Sequence, residues 1–187
     1  MSTVSVSTTA LLTAEEFAQR LDPGYPEELV RGRVEPMPMP KPRHGEICAN
    51  AVLIIGGYAK NHDLGRVLGN DTGVITQRGP DTVRGADVIY YSFARVPKGP
   101  LPDRYLDTPP DLVVEVLSPH DRWARVLAKV AEYLDAGTNV VIILDDERRL
   151  AHVYRPDGAT RLLTADEELT IPDLLGDFCV RVGRFFE

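Results

Sequence analysis

The chain has only two cysteines in 187 residues, Cys48 and Cys179, far apart and in no ligand-like spacing. That excludes a disulfide framework and a zinc cluster built on paired cysteines, and it fits a reducing compartment. No apolar stretch is long enough to cross a bilayer, and Met1–Ser5 lacks the basic n-region of a secretory leader, so a cytoplasmic protein is expected. There is no glycine-rich phosphate loop, no internal repeat and no low-complexity tract beyond the Ser/Thr-rich start. Positive charge is also short: 21 Lys and Arg face 28 Asp and Glu, a net charge of −7. This argues against a protein that holds nucleic acid on a broad basic surface. It leaves room for an enzyme whose acidic site carries a divalent cation, because such an ion reverses the local field.

What is present is enough apolar residue, 43%, for one sizeable core. Residues 1–12 are expected to form a flexible N-terminal tail, and 13–187 a single domain. Thr13-Ala14-Glu15-Glu16 is a capping box that opens a short helix reaching Leu21. Glu28-Leu29-Val30 and Val34-Glu35-Pro36-Met37 flank Arg31-Gly32-Arg33 as a hairpin. A helix is expected from Gly45 to His62, then short strands at Arg66–Leu68, Gly73–Gln77 and Ala86–Tyr91, and a loop over Pro97–Pro110. Leu112–Leu117 is a strand. Ser118 and Pro119 suit the N-cap and first turn of a helix that ends at Ala136 before Gly137. Asn139–Leu144 is another central strand, Leu150–Tyr154 and Arg161–Leu163 extend the sheet, and Leu174–Val182 docks on it. The expected class is α/β (α+β), a mixed central sheet flanked by helices.

Within the strand Leu112–Leu117 stands Glu115, whose neighbours Val113, Val114, Val116 and Leu117 read as buried on both faces. An ionised carboxylate there needs a cation beside it. Asp87 lies on an earlier strand candidate that can neighbour this one. Two carboxylates with a backbone carbonyl, here that of Val116, make a hard oxygen site suited to Mg²⁺ or Mn²⁺. Such an ion can polarise a phosphodiester and activate water. In the following helix Trp123, Val126, Leu127, Val130 and Leu134 form an apolar stripe, and Arg122, Arg125 and Lys129 a second row offset by ~110°. Lys129, two turns in, can reach back toward Glu115. Asp111 shares a face with Glu115 by alternation but is ~13 Å away along a straight strand, so Asp87 is the better partner.

Asp87, the run Pro110-Asp111-Leu112-Val113-Val114-Glu115-Val116-Leu117-Ser118-Pro119, Lys129, Tyr133 and Ala136-Gly137 together resemble the Uma-type putative restriction endonuclease family, within the PD-(D/E)XK nuclease superfamily. The resemblance runs from Glu28-Leu29 through His44-Gly45, Asp71-Thr72-Gly73 and Arg84–Val88 to Tyr154–Gly158. It implies a restriction-endonuclease-like fold, a divalent metal and hydrolysis of phosphodiester bonds, with DNA favoured over RNA. It also implies Asp87, Glu115 and Lys129 as catalytic, with Asp87, Glu115 and Val116 at the metal. The chain departs from the superfamily pattern at Ala86, where a proline precedes the aspartate, and at Leu117, where the motif lysine stands. Lys129 then takes the lysine's place.

Other residues read more plainly. His44 can contact a phosphate or a metal-bound water, but a structural hydrogen bond is the simpler expectation. Glu28 can face the cavity from the hairpin, or lie exposed on its strand. Trp123 and Tyr133 read as core, and Tyr90-Tyr91 as packing. A catalytically inactive nuclease fold that binds nucleic acid or a protein partner is the competing function. Cleavage of both strands of a duplex would suit a homodimer.

Overall fold

The computed structural model describes residues 10–118 and 121–187. The elements are α1 (Ala14–Ala18), β1 (Glu27–Val30), β2 (Arg33–Pro36), α2 (Pro42–Ala51), α3 (Gly57–Asn61), β3 (Gly65–Gln77), β4 (Thr82–Ser92), β5 (Leu112–Val116), α4 (Trp123–Asp135), β6 (Val140–Asp145), β7 (Leu150–Tyr154), β8 (Thr160–Thr164), β9 (Glu168–Thr170), α5 (Pro172–Leu175) and β10 (Cys179–Arg181). A π turn, Val52–Gly56, joins α2 to α3, and a 3-10 turn, Val182–Phe186, ends the chain.

One mixed sheet runs β2-β1-β4-β5-β6-β7-β8, with β3 also paired to β4. Among the described residues only β5 and β6 pair in parallel, joined through α4 as a βαβ crossover. Alternation along β5 and β6 divides the core. Val114, Val116, Ile142 and Leu144 pack with Ile47, Ala51 and Ile55 of the α2 segment and with Phe178, Phe185 and Phe186. Val113, Val141 and Ile143 pack on the other face with Val130 and Tyr133 of α4.

The edge of β4 has a gap. β3 runs along one side of β4 from Gly65↔Ser92 to Gln77↔Thr82. On the other side β1 pairs at Leu29↔Val83, and β5 pairs only at Val88, Ile89 and Tyr90. Between them the backbone from Arg84 to Asp87 meets side chains instead of a strand. This opening, flanked by α2 and α4, positions everything that follows.

Several expected boundaries shift for physical reasons. Thr13 does cap α1, its side chain accepting from the Glu16 N–H while Glu16 reciprocates, but the helix stops at Ala18. Leu12, placed in the expected tail, is held to the hairpin, its N–H donating to the Gly32 carbonyl at 2.9 Å. α2 starts at Pro42, not Gly45, because proline suits the first helical turn, where its missing N–H costs nothing. The strands expected at Arg66–Leu68 and Gly73–Gln77 are two halves of β3, interrupted by a register shift between Gly69 and Thr72, where Asn70 and Asp71 take positive φ. Pro119 and His120 of the expected helix start lie outside the described residues. Ser118 and Asp121 do bond each other, but ahead of α4, which begins at Trp123 after an extended Arg122. The expected stripe of α4 packs through Trp123, Val126, Val130 and Leu134, but Leu127 is 45% exposed and Tyr133 is buried instead. Lys129, one turn before Tyr133, points inward with it. No helix among the described residues is long and apolar enough to cross a membrane.

Gly65 tests the packing of the β3–β4 pair. A Cβ there would overlap the Tyr91 carbonyl oxygen and press on the Tyr90 ring. The obstacle is partly backbone, so the strands must move apart. Gly65→Ala is expected to cost about 1–3 kcal/mol, read as a lowered urea midpoint with an unchanged slope.

Candidate active site

The gap on β4 is filled by ionisable groups from four elements. Glu28 of β1 is 3% exposed. Its Oε1 accepts from the Gly85 N–H at 3.1 Å and meets Lys129 Nζ at 3.0 Å, while its Oε2 pairs with Arg84 at 2.9 Å. Glu28 therefore closes the open edge of β4 in place of a strand, and the expectation of an exposed carboxylate is corrected. Arg84 is in turn held by a two-pronged bond to Glu132 of α4, at 2.6 and 2.8 Å. A planar guanidinium is well matched to that task.

Glu115 stands where β5 leaves the sheet. Its Oε1 accepts from the Tyr133 hydroxyl at 2.7 Å, and its Oε2 lies 3.7 Å from Lys129 Nζ. Burial pushes the Glu115 carboxyl up to about 7; Lys129 opposes that rise and the charge of Asp87 adds to it. Burial works against the charge of Lys129, but Glu115 and Glu28 outweigh it and hold the ammonium above its ordinary range. Burial, then Glu115, keeps Tyr133 protonated, hence a hydrogen-bond donor.

Asp87 sits one residue beyond the Val88↔Val114 end of the β4–β5 pairing, and the register continued one step sets it opposite Glu115. Alternate N–H groups of a strand point to opposite edges. The Leu117 N–H bonds Leu144 of β6, so that of Val116 faces β4, where Asp87 Oδ2 accepts it at 2.7 Å. A side chain thus replaces the next rung of the ladder and forks the two strands. On the α2 side, His44 Nε2 lies 3.3 Å from the same oxygen. Its Nδ1 lies 3.5 Å from Cys48 Sγ. The bond to Asp87, then that to Cys48, lifts His44 to about 10, so it is an imidazolium near neutrality. Asp87 Oδ1 has no hydrogen-bond partner among the described residues.

Asp111 stands apart. It begins the opposite end of β5, where it takes the Ser92 N–H at 2.7 Å and pairs with Arg95 at 3.1 Å. Both its oxygens are engaged in fixing the loop onto the sheet, so it does not join the cluster. Asp71, to which no individual role falls on sequence grounds, does line the cavity with His44, Cys48 and Asp87. Burial, then the charge of Asp87, raises its carboxyl. The signal for it is the Asn70-Asp71 pair breaking an apolar strand. Tyr133 reads as core and is fully buried, yet its hydroxyl serves Glu115; the i,i+4 spacing from Lys129 marks it.

A family model described as "Uma2: Putative restriction endonuclease" matches residues 14–183. A crystal structure of a putative nuclease belonging to DUF820 from Anabaena variabilis ATCC 29413 superposes with a TM-score of 0.81, at 22% identity, covering 94% of this chain and 97% of that one. At that identity the likeness speaks for the fold. No curated protein matches.

Proposed function

The chain belongs to the Uma2 family of putative restriction endonucleases, and on that premise we propose that it is a metal-dependent endonuclease acting on DNA, with Asp87, Glu115 and Lys129 at the reacting phosphodiester. The observation that carries the reading is the fork itself. Asp87 and Glu115 both stand just past the last rung of the β4–β5 pairing, near enough for the charge of Asp87 to act on Glu115, with one oxygen of Asp87 unclaimed and Glu115 short of compensating charge. That donor set fits a hard divalent ion such as Mg²⁺ or Mn²⁺, and the Val116 carbonyl shares the strand edge that faces Asp87. When bound, the ion supplies Lewis acidity and a more acidic water.

The protein's own groups supply the rest. Lys129 places a fixed positive charge beside Glu115, in a site largely closed to solvent, where it can hold an attacking water and offset charge growing on the phosphoryl oxygens. Tyr133 orients Glu115, leaving its second oxygen to the site. Glu28 and Arg84 keep Lys129 in place from below. Substrate approach from the cavity beside α2 passes Asp71 and His44. The imidazolium of His44 is the nearest cation on that side for a phosphate.

The test is cleavage of supercoiled plasmid and linear duplex by the full chain, stripped with EDTA and resupplied with Mg²⁺ or Mn²⁺. Strand scission is expected only after metal is restored, and Asp87→Asn is expected to abolish it. Absence of cleavage of DNA with either ion, in a preparation that is folded, would overturn the reading in favour of a binding scaffold.

A further inference from the structure

We propose that His44, Cys48 and Asp87 form a second cation site, selective for a thiophilic divalent ion such as Zn²⁺, which takes Asp87 away from the hard-ion site and so inhibits the enzyme. The inhibitory part rests on the metal role given to Asp87 above; the binding part does not.

His44 and Cys48 are one helical turn apart on α2, so both face β4. One ligand atom from each of His44, Cys48 and Asp87 lies within 4.8 Å of the others. Zinc bound tetrahedrally at ~2.0–2.1 Å to N and O and ~2.3 Å to S needs ligand-to-ligand edges of roughly 3.3–3.6 Å. The His44–Asp87 edge is already 3.3 Å. Cys48 Sγ, now 3.5 Å from the other ring nitrogen, Nδ1, lies within 4.8 Å of both remaining ligand atoms, so a shift of about 1 Å, with the imidazole turning to suit, closes the site. These residues line a cavity of about 470 Å³, which leaves a fourth position for water.

Charge balance favours the exchange. A bound dication needs the Cys48 thiolate and an unprotonated ring nitrogen of His44, so their protons go to solvent on binding. Two anionic ligands and one neutral ligand around a dication leave the bound group net neutral, so no uncompensated charge is created. Soft sulfur and imidazole select zinc over magnesium, whereas Asp87 with Glu115 selects the reverse. No feature of the hydrolytic reaction calls for Cys48.

Co²⁺ is the probe. Titrated without oxygen into the metal-free full chain, it is expected to give a thiolate-to-cobalt band in the near ultraviolet with tetrahedral visible bands at one equivalent, bleached by Zn²⁺. Cys48→Ser, with Cys48→Ala as a second variant, is expected to lose the thiolate band, and Cys179→Ser to keep it. Asp87→Asn is expected to weaken cobalt at least tenfold. No thiolate band in the parent chain, or a band that survives Cys48→Ser, overturns the site. Unchanged affinity in Asp87→Asn overturns the sharing of Asp87. These readouts need no cleavage. Where cleavage is observed, Zn²⁺ should inhibit the parent and not Cys48→Ser; equal inhibition of both overturns the antagonism.

Discussion

Glu115→Gln is expected to abolish metal-dependent cleavage and, in the metal-free protein, to raise stability. The loss should reach about 10³-fold or more, since a metal-held carboxylate contributes several kcal/mol to the transition state. The gain follows from linkage. The Glu115 carboxyl titrates at about 7 in the fold against an ordinary 4.5, because burial and Asp87 outweigh Lys129. Below 4.5 both folded and unfolded chains hold the proton and there is no penalty. Between 4.5 and 7 the unfolded chain ionises first, and stability falls as pH rises. Above 7 the penalty is complete. Glutamine removes the charge, keeps the shape and still accepts from Tyr133. The gain should be absent near pH 4 and on the order of 1–3 kcal/mol above pH 7. At about 2–4 °C per kcal/mol it is visible in a melting curve. Adding Mg²⁺ should stabilise the parent more than the variant. A variant that melts lower than the parent at pH 8 without metal would show that Glu115 is held for its ion pair, not for a metal.

That carboxylate was legible in the sequence because its neighbours are so apolar. Glu115 between Val114 and Val116 breaks a pattern, and a broken pattern in a central strand marks a site. Lys129 is legible for a weaker reason, its spacing after the strand. Glu28 is harder. Alternation in a two-stranded hairpin gives the same reading for an exposed glutamate and for one that caps a neighbouring strand, and only the sheet order decides that β1 meets β4 at Leu29↔Val83 and leaves Gly85 to be satisfied by a side chain. Cys48 has no local signature of chemistry, and Asp71 shows only as a polar break in an apolar strand. Their nearness to Asp87 comes from the packing of α2 across the fork and from a bulge in β3, and both are long-range facts. The helix boundaries fail in a related way. The Ser118–Asp121 pair has the chemistry of a cap, but it lies ahead of the start of α4. The direction of α4 is then set by Tyr133 and Lys129 reaching Glu115, which is why Leu127 ends outside.

Lys129→Met should cut turnover about 10²–10³-fold, the usual cost of removing one preorganised charge from a reacting phosphoryl or oxyanion. Affinity for DNA should change little, because Lys129 is mostly buried against Glu28 and Glu115 and does not line the cavity beside α2. Stability should move opposite to Glu115→Gln. Lys129 is the cation shared by Glu28 at 3.0 Å and Glu115 at 3.7 Å. Its removal leaves Glu28 with Arg84 and the Gly85 N–H, and Glu115 with only a hydroxyl, a loss of about 3–5 kcal/mol for a buried pair broken on one side. The two effects separate in Lys129→Met combined with Glu115→Gln, which should recover stability and not turnover. Position can be tested too. Leu117 shares the strand face of Glu115 by alternation and stands where the superfamily motif places its lysine. Leu117→Lys in the Lys129→Met background should bring an ammonium back to the same oxygen from the strand instead of the helix, and restore part of the lost turnover. If Lys129→Met cleaves at the parental rate, the ammonium serves only to balance Glu28 and Glu115, and the charge facing the phosphate must come from the His44 side of the fork.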